Sequence, residues 1–340
     1  MRLSTATSPH IFSRSSLPQL MRRVLYAMLP GLAVQTWLFG WGLPINVIVA
    51  SVVALAAEAV VLLSRGKSLS LHLGDGSALV TAWLLAAALP ALAPWWLTAV
   101  GVSFAIVVAK HLYGGLGYNP FNPAMVGYVV LLISFPREMT TWPDLQQHLS
   151  FGDAAGLILS GSLPAGRSLD AVTGATPLDT LKTQLAMGKS VAEITGNGLL
   201  NGAVGRGWEW VSLAYLLGGL WLLHNRTAAW QIPAGMLGGL ALLAGLLHAL
   251  DPRVWSSAWF HVSAVSSIYG AFFIATDPVS ASTTPWGRVV YGAGIGFLVY
   301  LIRVFGGYPD GVAFAVLLMN MTVPTLDYYT QPRVFGAHRG

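Results

Sequence analysis

Residues 43–63 read LPINVIVASVVALAAEAVVLL, twenty-one residues that are nearly all apolar. A chain needs roughly 20 such residues to cross the hydrocarbon of a bilayer as a helix. This stretch therefore predicts a transmembrane helix, and it sets the class for everything around it. By the same criterion spans fall near 23–39, 77–92, 95–109 and 123–135, and a polar stretch follows over 136–207. A second group falls near 208–223, 230–250, 262–275, 289–301 and 311–326. Trp37, Trp41, Trp95, Trp96, Trp208, Trp210, Trp230 and Trp259 sit at or near the predicted ends, where interfacial anchors belong.

Composition agrees. Of 340 residues, 55% are hydrophobic and only 9% charged, whereas soluble domains run near 25% charged. So little charge cannot solvate the surface of a soluble fold, and membrane lipid is a predicted partner. There is no cysteine. Disulfides, cysteine-ligated zinc and iron–sulfur clusters are thereby excluded within this chain, and any redox chemistry needs an organic cofactor or a haem held by His or Met. The net charge of +5 fits cytoplasmic loops rather than nucleic acid, and no nucleic-acid partner is expected.

Eleven of the 18 Lys and Arg fall in segments on the N-terminal side of the membrane, two (Arg253 and Arg303) in short loops on the other, and five in 136–207. The positive-inside rule then puts both termini in the cytoplasm and 136–207 on the outer face. The expected organisation is a cytoplasmic lead-in over 1–20, a five-helix half over 21–135, an outer loop domain over 136–207, a second five-helix half over 208–326 and a cytoplasmic tail over 327–340. The fold class expected is all-α and polytopic, with mixed structure in the loop domain. Tyr113-Gly114-Gly115 with Tyr118-Asn119-Pro120 precedes the fifth span, and Phe305-Gly306-Gly307 with Tyr308-Pro309-Asp310 precedes the tenth. Five spans per half is odd, so the second half enters the membrane inverted, and inverted repeats place a site near the midplane.

Asp170-Ala171-Val172-Thr173-Gly174-Ala175-Thr176-Pro177-Leu178 is the most informative polar segment. Small residues leave Thr176 open to a large partner. The same residues also suit a helix start, with Thr176 as N-cap and Pro177 in the first turn. Asn119-Pro120 and Asn122-Pro123 force extended backbone before each proline. Backbone of that kind is tolerated at membrane depth only beside protein or a wet cavity, so 113–123 reads either as a broken helix by an ion path or cofactor or as an ordinary re-entrant packing loop. Asp277 with Ser280, Ser282, Thr283 and Thr284 reads as a capping turn. Asp75 and Asp310 are membrane-edge carboxylates, and His111, His224 and His261 are expected to pack at span boundaries. No metal site is predicted, and no side chain is assigned a catalytic role of its own.

Asp-x-x-Ser/Thr-Gly-Ala-Thr resembles the flavinylation motif of Rnf and Nqr proteins, in which the last threonine carries FMN through a phosphoester. Residues 110–124 (KHLYGGLGYNPFNPA), 275–284 (ATDPVSASTT), 305–319 (FGGYPDGVAFAVLLM) and 327–336 (DYYTQPRVFG) are similar to the RnfD/NqrB family of membrane subunits of Rnf ion-translocating electron transport complexes. The resemblance thus covers both halves. Thr173 stands where Ser is more usual. The resemblance implies FMN on Thr176, with Asp170, Thr173, Gly174 and Ala175 forming the attachment motif, and a second, non-covalent flavin (riboflavin) elsewhere. It further implies a separate flavin transferase, partner subunits in a bacterial inner-membrane complex, and a periplasmic flavin loop. The function implied is electron transfer between ferredoxin and NAD coupled to Na⁺ or H⁺ translocation. The competing reading is a flavin-free small-solute channel with an inverted-repeat fold, which has no use for the Asp170–Thr176 motif.

Overall fold

The computed structural model describes residues 16–144, 149–163, 168–196 and 207–331. Most of the expected lead-in and tail therefore lies outside the described residues. The chain is mostly helical. The first group comprises α1 (Leu17–Phe39), α2 (Gly42–Ser64), a short α3 (Leu69–Leu73), α4 (Ser77–Ala88), α5 (Trp95–Ser103), α6 (Pro123–Ser134) and a short α7 (Pro136–Thr140). Helix α5 continues as a π-helix over Phe104–His111. The start signals are chemical. Gln19 Oε1 accepts the Ser16 N–H at 3.0 Å before α1, Asp75 Oδ1 accepts the Ser77 N–H at 2.7 Å before α4, and Asn122 Oδ1 accepts the Met125 N–H at 3.1 Å in α6. Each satisfies a donor that the first turn leaves free.

The polar stretch holds β1 (Trp142–Pro143), α8 (Phe151–Ser160), α9 (Leu169–Val172), β2 (Thr173–Gly174), α10 (Pro177–Ala186) and α11 (Val191–Gly196). Strands β1 and β2 pair antiparallel, Trp142 opposite Gly174 and Pro143 opposite Thr173. This ladder is the mixed structure expected of the loop domain, in a chain that is otherwise helical. It exists because the exit from the first helix group and the motif are both extended, one ahead of α8 and one ahead of Thr176. The last group comprises α12 (Trp208–His224), α13 (Gln231–Leu250), α14 (Ala258–Ser263), α15 (Val265–Tyr269), α16 (Pro285–Phe305) and α17 (Val312–Tyr329), with α15 running on as a π-helix over Gly270–Ile274.

Every apolar segment expected from the sequence falls on a helix. Among the described residues four, α2, α13, α16 and α17, are long and apolar enough to cross a membrane. The segments Ser77–Ala88, Trp95–His111, Pro123–Ser134 and Val265–Ile274 are shorter. Proline explains two of the truncations: α4 stops before Leu89-Pro90, and the helix ending at Ile274 stops before Asp277-Pro278, because the residue ahead of Pro is pushed out of the α region. Trp37, Trp41, Trp95, Trp210, Trp230 and Trp259 are exposed, as anchors should be. Trp208 turns inward instead, 4.8 Å from Phe39 and 5.7 Å from Trp142 between ring centroids.

Small residues let the helix backbones touch. On α13 and α16, Gly235 and Gly239 face Gly292 and Gly296. A Cβ on Gly239 would meet the Ala293 carbonyl at 2.6 Å, and one on Gly296 would run into the Met236 carbonyl. Glycines four apart on both helices permit this approach, which replaces a hydrophobic drive that lipid does not supply. Gly218 of α12 abuts the Ala27 carbonyl of α1 in the same way, and Gly31 lies under the Tyr215 ring. Gly296→Ala is expected to force α13 and α16 apart at a cost of about 1–3 kcal/mol, the range for overpacking. Gly238→Ala, where a Cβ meets nothing within 4 Å, serves as the control and should not destabilise. Thermal unfolding of the two variants in detergent checks this, and equal midpoints would refute the close-packing account.

Candidate functional site

Thr176 is the N-cap of α10: its Oγ accepts the Asp179 N–H at 3.2 Å, with Pro177 in the first turn. Thr176 is half-buried, Gly174 and Ala175 are exposed, and Thr173 is partly buried in the ladder with Pro143. Asp170 lies on α9, six residues before Thr176. The structure thus places the motif as one continuous strand-to-helix turn, with Thr176 among the residues that line a large cavity.

That cavity encloses about 1150 Å³, its open mouth included. Thr176, Pro177, Leu178 and Asp179 form one side. Trp142 and Trp208 stand beside them, Tyr128 and Met125 come from α6, and Tyr215 and Tyr269 from α12 and α15. Tyr308, Pro309 and Asp310, ahead of α17, close the wall. Helices from both groups therefore contribute, and the lining is mainly apolar and aromatic with a few polar groups, as sites for planar organic ligands are. Outside the membrane-spanning helices, burial raises the pKa of the Asp179 carboxyl, opposed by the Lys182 charge, and burial lowers that of the Lys182 amine, opposed by Asp179.

A second, smaller cavity of about 420 Å³ is lined by Ser77, Thr81 and Leu84 of α4, Lys110, Asn119, Asn122 and Asp277. The expected broken helix is here. Gly114 and Gly115 take φ of 125° and 109°, a backbone region that side-chain-bearing residues rarely adopt, so the chain reverses after His111. Asn122 caps α6 and donates from Nδ2 to the Ile274 carbonyl at 3.2 Å. Asn119 donates to the Phe121 carbonyl at 3.0 Å, while its buried Oδ1 has no hydrogen-bond partner.

The two cavities stand back to back. Tyr269, on the wall of the first, donates from Oη to the Leu84 carbonyl at 2.9 Å, and Leu84 lines the second. Asn122 lines the second, and Ile274, whose carbonyl it holds, lines the first. Tyr215 and Tyr269 of the first cavity's wall pack with Phe273, with ring centroids 4.9 to 5.7 Å apart.

Several residues took places that differ from expectation. His111 is not a boundary packing residue: it is buried, with Nε2 3.3 Å from Glu58 Oε1. Lys110, counted among the cytoplasmic charges, is buried beside it and donates to Glu58 Oε1 at 2.7 Å and to Ser77 Oγ at 2.7 Å. Arg303, counted in an outer loop, is buried at the end of α16 and binds Asp310 at 3.0 Å, the His261 carbonyl at 3.1 Å and Ser266 Oγ at 3.0 Å. Removing these two buried cations from the loop count leaves ten against one, so its sign is unchanged. His261 is buried with Nε2 2.7 Å from Ser256 Oγ, and His224 is exposed. Asp277 caps nearby amides as expected and also accepts from Ser280 Oγ at 2.6 Å; Asp75, read only as a membrane-edge carboxylate, caps the Ser77 amide. The acid within the apolar run 43–63 was a usable signal for the Glu58 cluster, because ionisable groups at that depth are rarely without a partner. Lys182 gave no such signal.

Comparison with known proteins gives the family of the chain. The profile of the NQR2, RnfD, RnfE family matches residues 4–336. The chain is 54% identical over 339 residues to the D component of the ion-translocating oxidoreductase complex of Alcanivorax borkumensis, covering 99% of this chain and 97% of that protein. It is 51% identical to the corresponding component from Vibrio vulnificus, covering 99% and 100%, and 49% identical to that from Salmonella paratyphi A, covering 98% and 99%. Matched at this level from end to end, with its Thr-Gly-Ala-Thr turn opening onto an aromatic cavity, the chain belongs to the NQR2, RnfD, RnfE family.

Proposed function

We propose that the chain is the membrane subunit of an ion-translocating oxidoreductase complex of the Rnf type, passing electrons through FMN esterified to Thr176. The observation that carries this is the position of Thr176 on the wall of the large cavity, beside Trp142 and Trp208. The residues fit the group. The Thr176 hydroxyl sits at the N-terminus of α10, accepting the Asp179 N–H, and the positive end of the helix dipole there suits a phosphoryl group on that oxygen. The aromatic lining suits an isoalloxazine, and Gly174 and Ala175 leave the approach open. Bound there, the flavin supplies one- and two-electron chemistry, while the protein supplies position and electrostatics.

A second, non-covalent flavin such as riboflavin is placed in this reading at the second cavity, which must open to admit the ring system. The Asn119 Oδ1 is buried there without a partner, whereas both ends of the Asn122 amide are already bonded. The aromatic cluster of Tyr215, Tyr269 and Phe273 would then lie between two redox groups. Ten crossings in two inverted five-helix halves fit the helix order and the paired Gly/Pro loops. In this reading both termini are cytoplasmic in the inner membrane, and 136–207 is a periplasmic flavin domain. The partners are other subunits of the complex and a flavin transferase. Ferredoxin and NAD are the end partners of the complex rather than of this chain.

The decisive test is in-gel fluorescence of the denatured protein, produced with its transferase. The expected result is a fluorescent band at the chain's own mass. A dark band from such cells would discard the flavin reading in favour of the small-solute channel.

A further inference from the structure

The side chain of Lys182 does something that the flavin motif does not ask for. Lys182 lies on α10, six residues beyond Thr176, so its Cα is about 9 Å further along the same rigid helix. Its Nζ donates to three main-chain carbonyls: Arg303 at 3.0 Å, Tyr308 at 2.9 Å and, shortest of all, Gly306. These oxygens belong to the last turn of α16 and the loop that follows, where a helix ends with carbonyls that have no partner within it. An ammonium with three rotatable donors on a flexible stem matches a convergent set of that kind. The C-terminal end of the helix also favours a positive charge.

The same stretch of chain builds the cavity wall. Arg303 gives its carbonyl to Lys182 and its guanidinium to Asp310 and Ser266, and both of those line the large cavity. Tyr308, whose carbonyl is the third acceptor, lines it too. The docking is reinforced on its outer side, where Leu181 and Ile194 pack with Phe260, and the Val191 N–H donates to the Arg253 carbonyl at 2.9 Å. Helix α10 is thus fastened at its far end to the helix group after the loop. At its near end it hangs from the β1–β2 ladder, which comes off the group before the loop.

We infer that Lys182 is a positioning residue, a latch that fixes the attachment oxygen of Thr176 relative to the Tyr308–Asp310 wall of the cavity and so holds the flavin ring in one orientation. The inference rests on the flavin reading above. It adds that the attachment helix is aimed by a cation seated on main-chain oxygens and not by the motif alone. Attachment and aiming are separate functions of separate residues.

The experiment compares wild type, Lys182→Met and Lys182→Arg in the assembled membrane complex, produced with the transferase. Lys182→Met should keep full covalent flavin on denaturing gels. Its native flavin should be freer, with lower fluorescence anisotropy, and flavin reduction in the complex should slow on the order of tenfold, since small misplacements of reacting groups are costly. Lys182→Arg keeps donors but presents them in a plane, so it should fall between the two. Hydrogen exchange gives a readout that needs no flavin: amides of α10 should lose protection in Lys182→Met while those of α13 and α16 do not. If Lys182→Met matches wild type in anisotropy and reduction rate, the aiming role is overturned, even where α10 exchanges faster. If wild type carries no covalent flavin, the flavin reading falls and the aiming role with it. The exchange data then decide separately whether the docking itself depends on Lys182.

Discussion

Thr176→Val is expected to remove all denaturation-resistant flavin while leaving a folded membrane protein. Valine keeps the size and β-branching of threonine and deletes only the hydroxyl. The structural loss is the N-cap bond from the Asp179 N–H, for which the usual cost is about 1 kcal/mol. The chemical loss is complete, because a phosphoester needs an oxygen and the neighbouring Gly174, Ala175 and Pro177 have none in their side chains. Thr173→Val is the informative control. Thr173 joins the ladder through its main chain, opposite Pro143, and a β-branched valine suits a strand position. Flavin should therefore persist in Thr173→Val, weakened at most in recognition by the transferase. Mass spectrometry of residues 170–182 should show FMN minus water on Thr176 in wild type. Denaturation-resistant flavin in Thr176→Val, or attachment at Thr173, would remove the assignment.

The second large effect is on stability. Lys110→Met should cost about 3–5 kcal/mol, because it strips Glu58 of its ammonium partner and leaves a buried carboxylate with only His111 beside it. Glu58 Oε2 already lacks a hydrogen-bond partner, so nothing nearby is ready to take over. The double variant Glu58→Leu with Lys110→Met removes both charges from the apolar helix contact and should recover most of the loss, as apolar replacements of buried ion pairs often do. Thermal unfolding in detergent measures both. A Lys110→Met variant within about 1 kcal/mol of wild type, by the scale set for exposed pairs, would mean that water reaches this cluster. Ser77 and Lys110 line the second cavity, so the same cluster sets the electrostatics there.

The apolar runs were sufficient to determine that this chain is a membrane protein and where its helices lie. Bilayer thickness imposes a length, and every predicted run became a helix because a backbone in lipid must satisfy its own hydrogen bonds. Local chemistry determined the turns as well: Thr176-Pro177, Asn122-Pro123 and Asp75 all act on amides within three residues, so their role is written in the residues next to them. Even the glycines were legible as breaks where they cluster, at 114–117.

The meeting of distant segments was not legible. Lys110 read as a loop charge because its sequence neighbours are loop-like. Only the packing of α2 against the end of α5 shows that Glu58, fifty-two residues away, takes its ammonium out of water. Arg303 was misplaced for the same reason, since apart from Asp310, seven residues on, its partners are a carbonyl 42 residues back and a hydroxyl 37 back. Lys182 is the extreme case. Its acceptors are main-chain oxygens more than 120 residues away, and a backbone carbonyl carries no residue identity to read. The sequence alone determined the apolar helices and the local capping of the Thr176-Pro177 turn, because both depend on near neighbours and on the solvent. Tertiary structure alone decided which charges are buried, where the cavities lie and which carbonyls hold Lys182 of α10, because those depend on which backbones come within hydrogen-bonding distance.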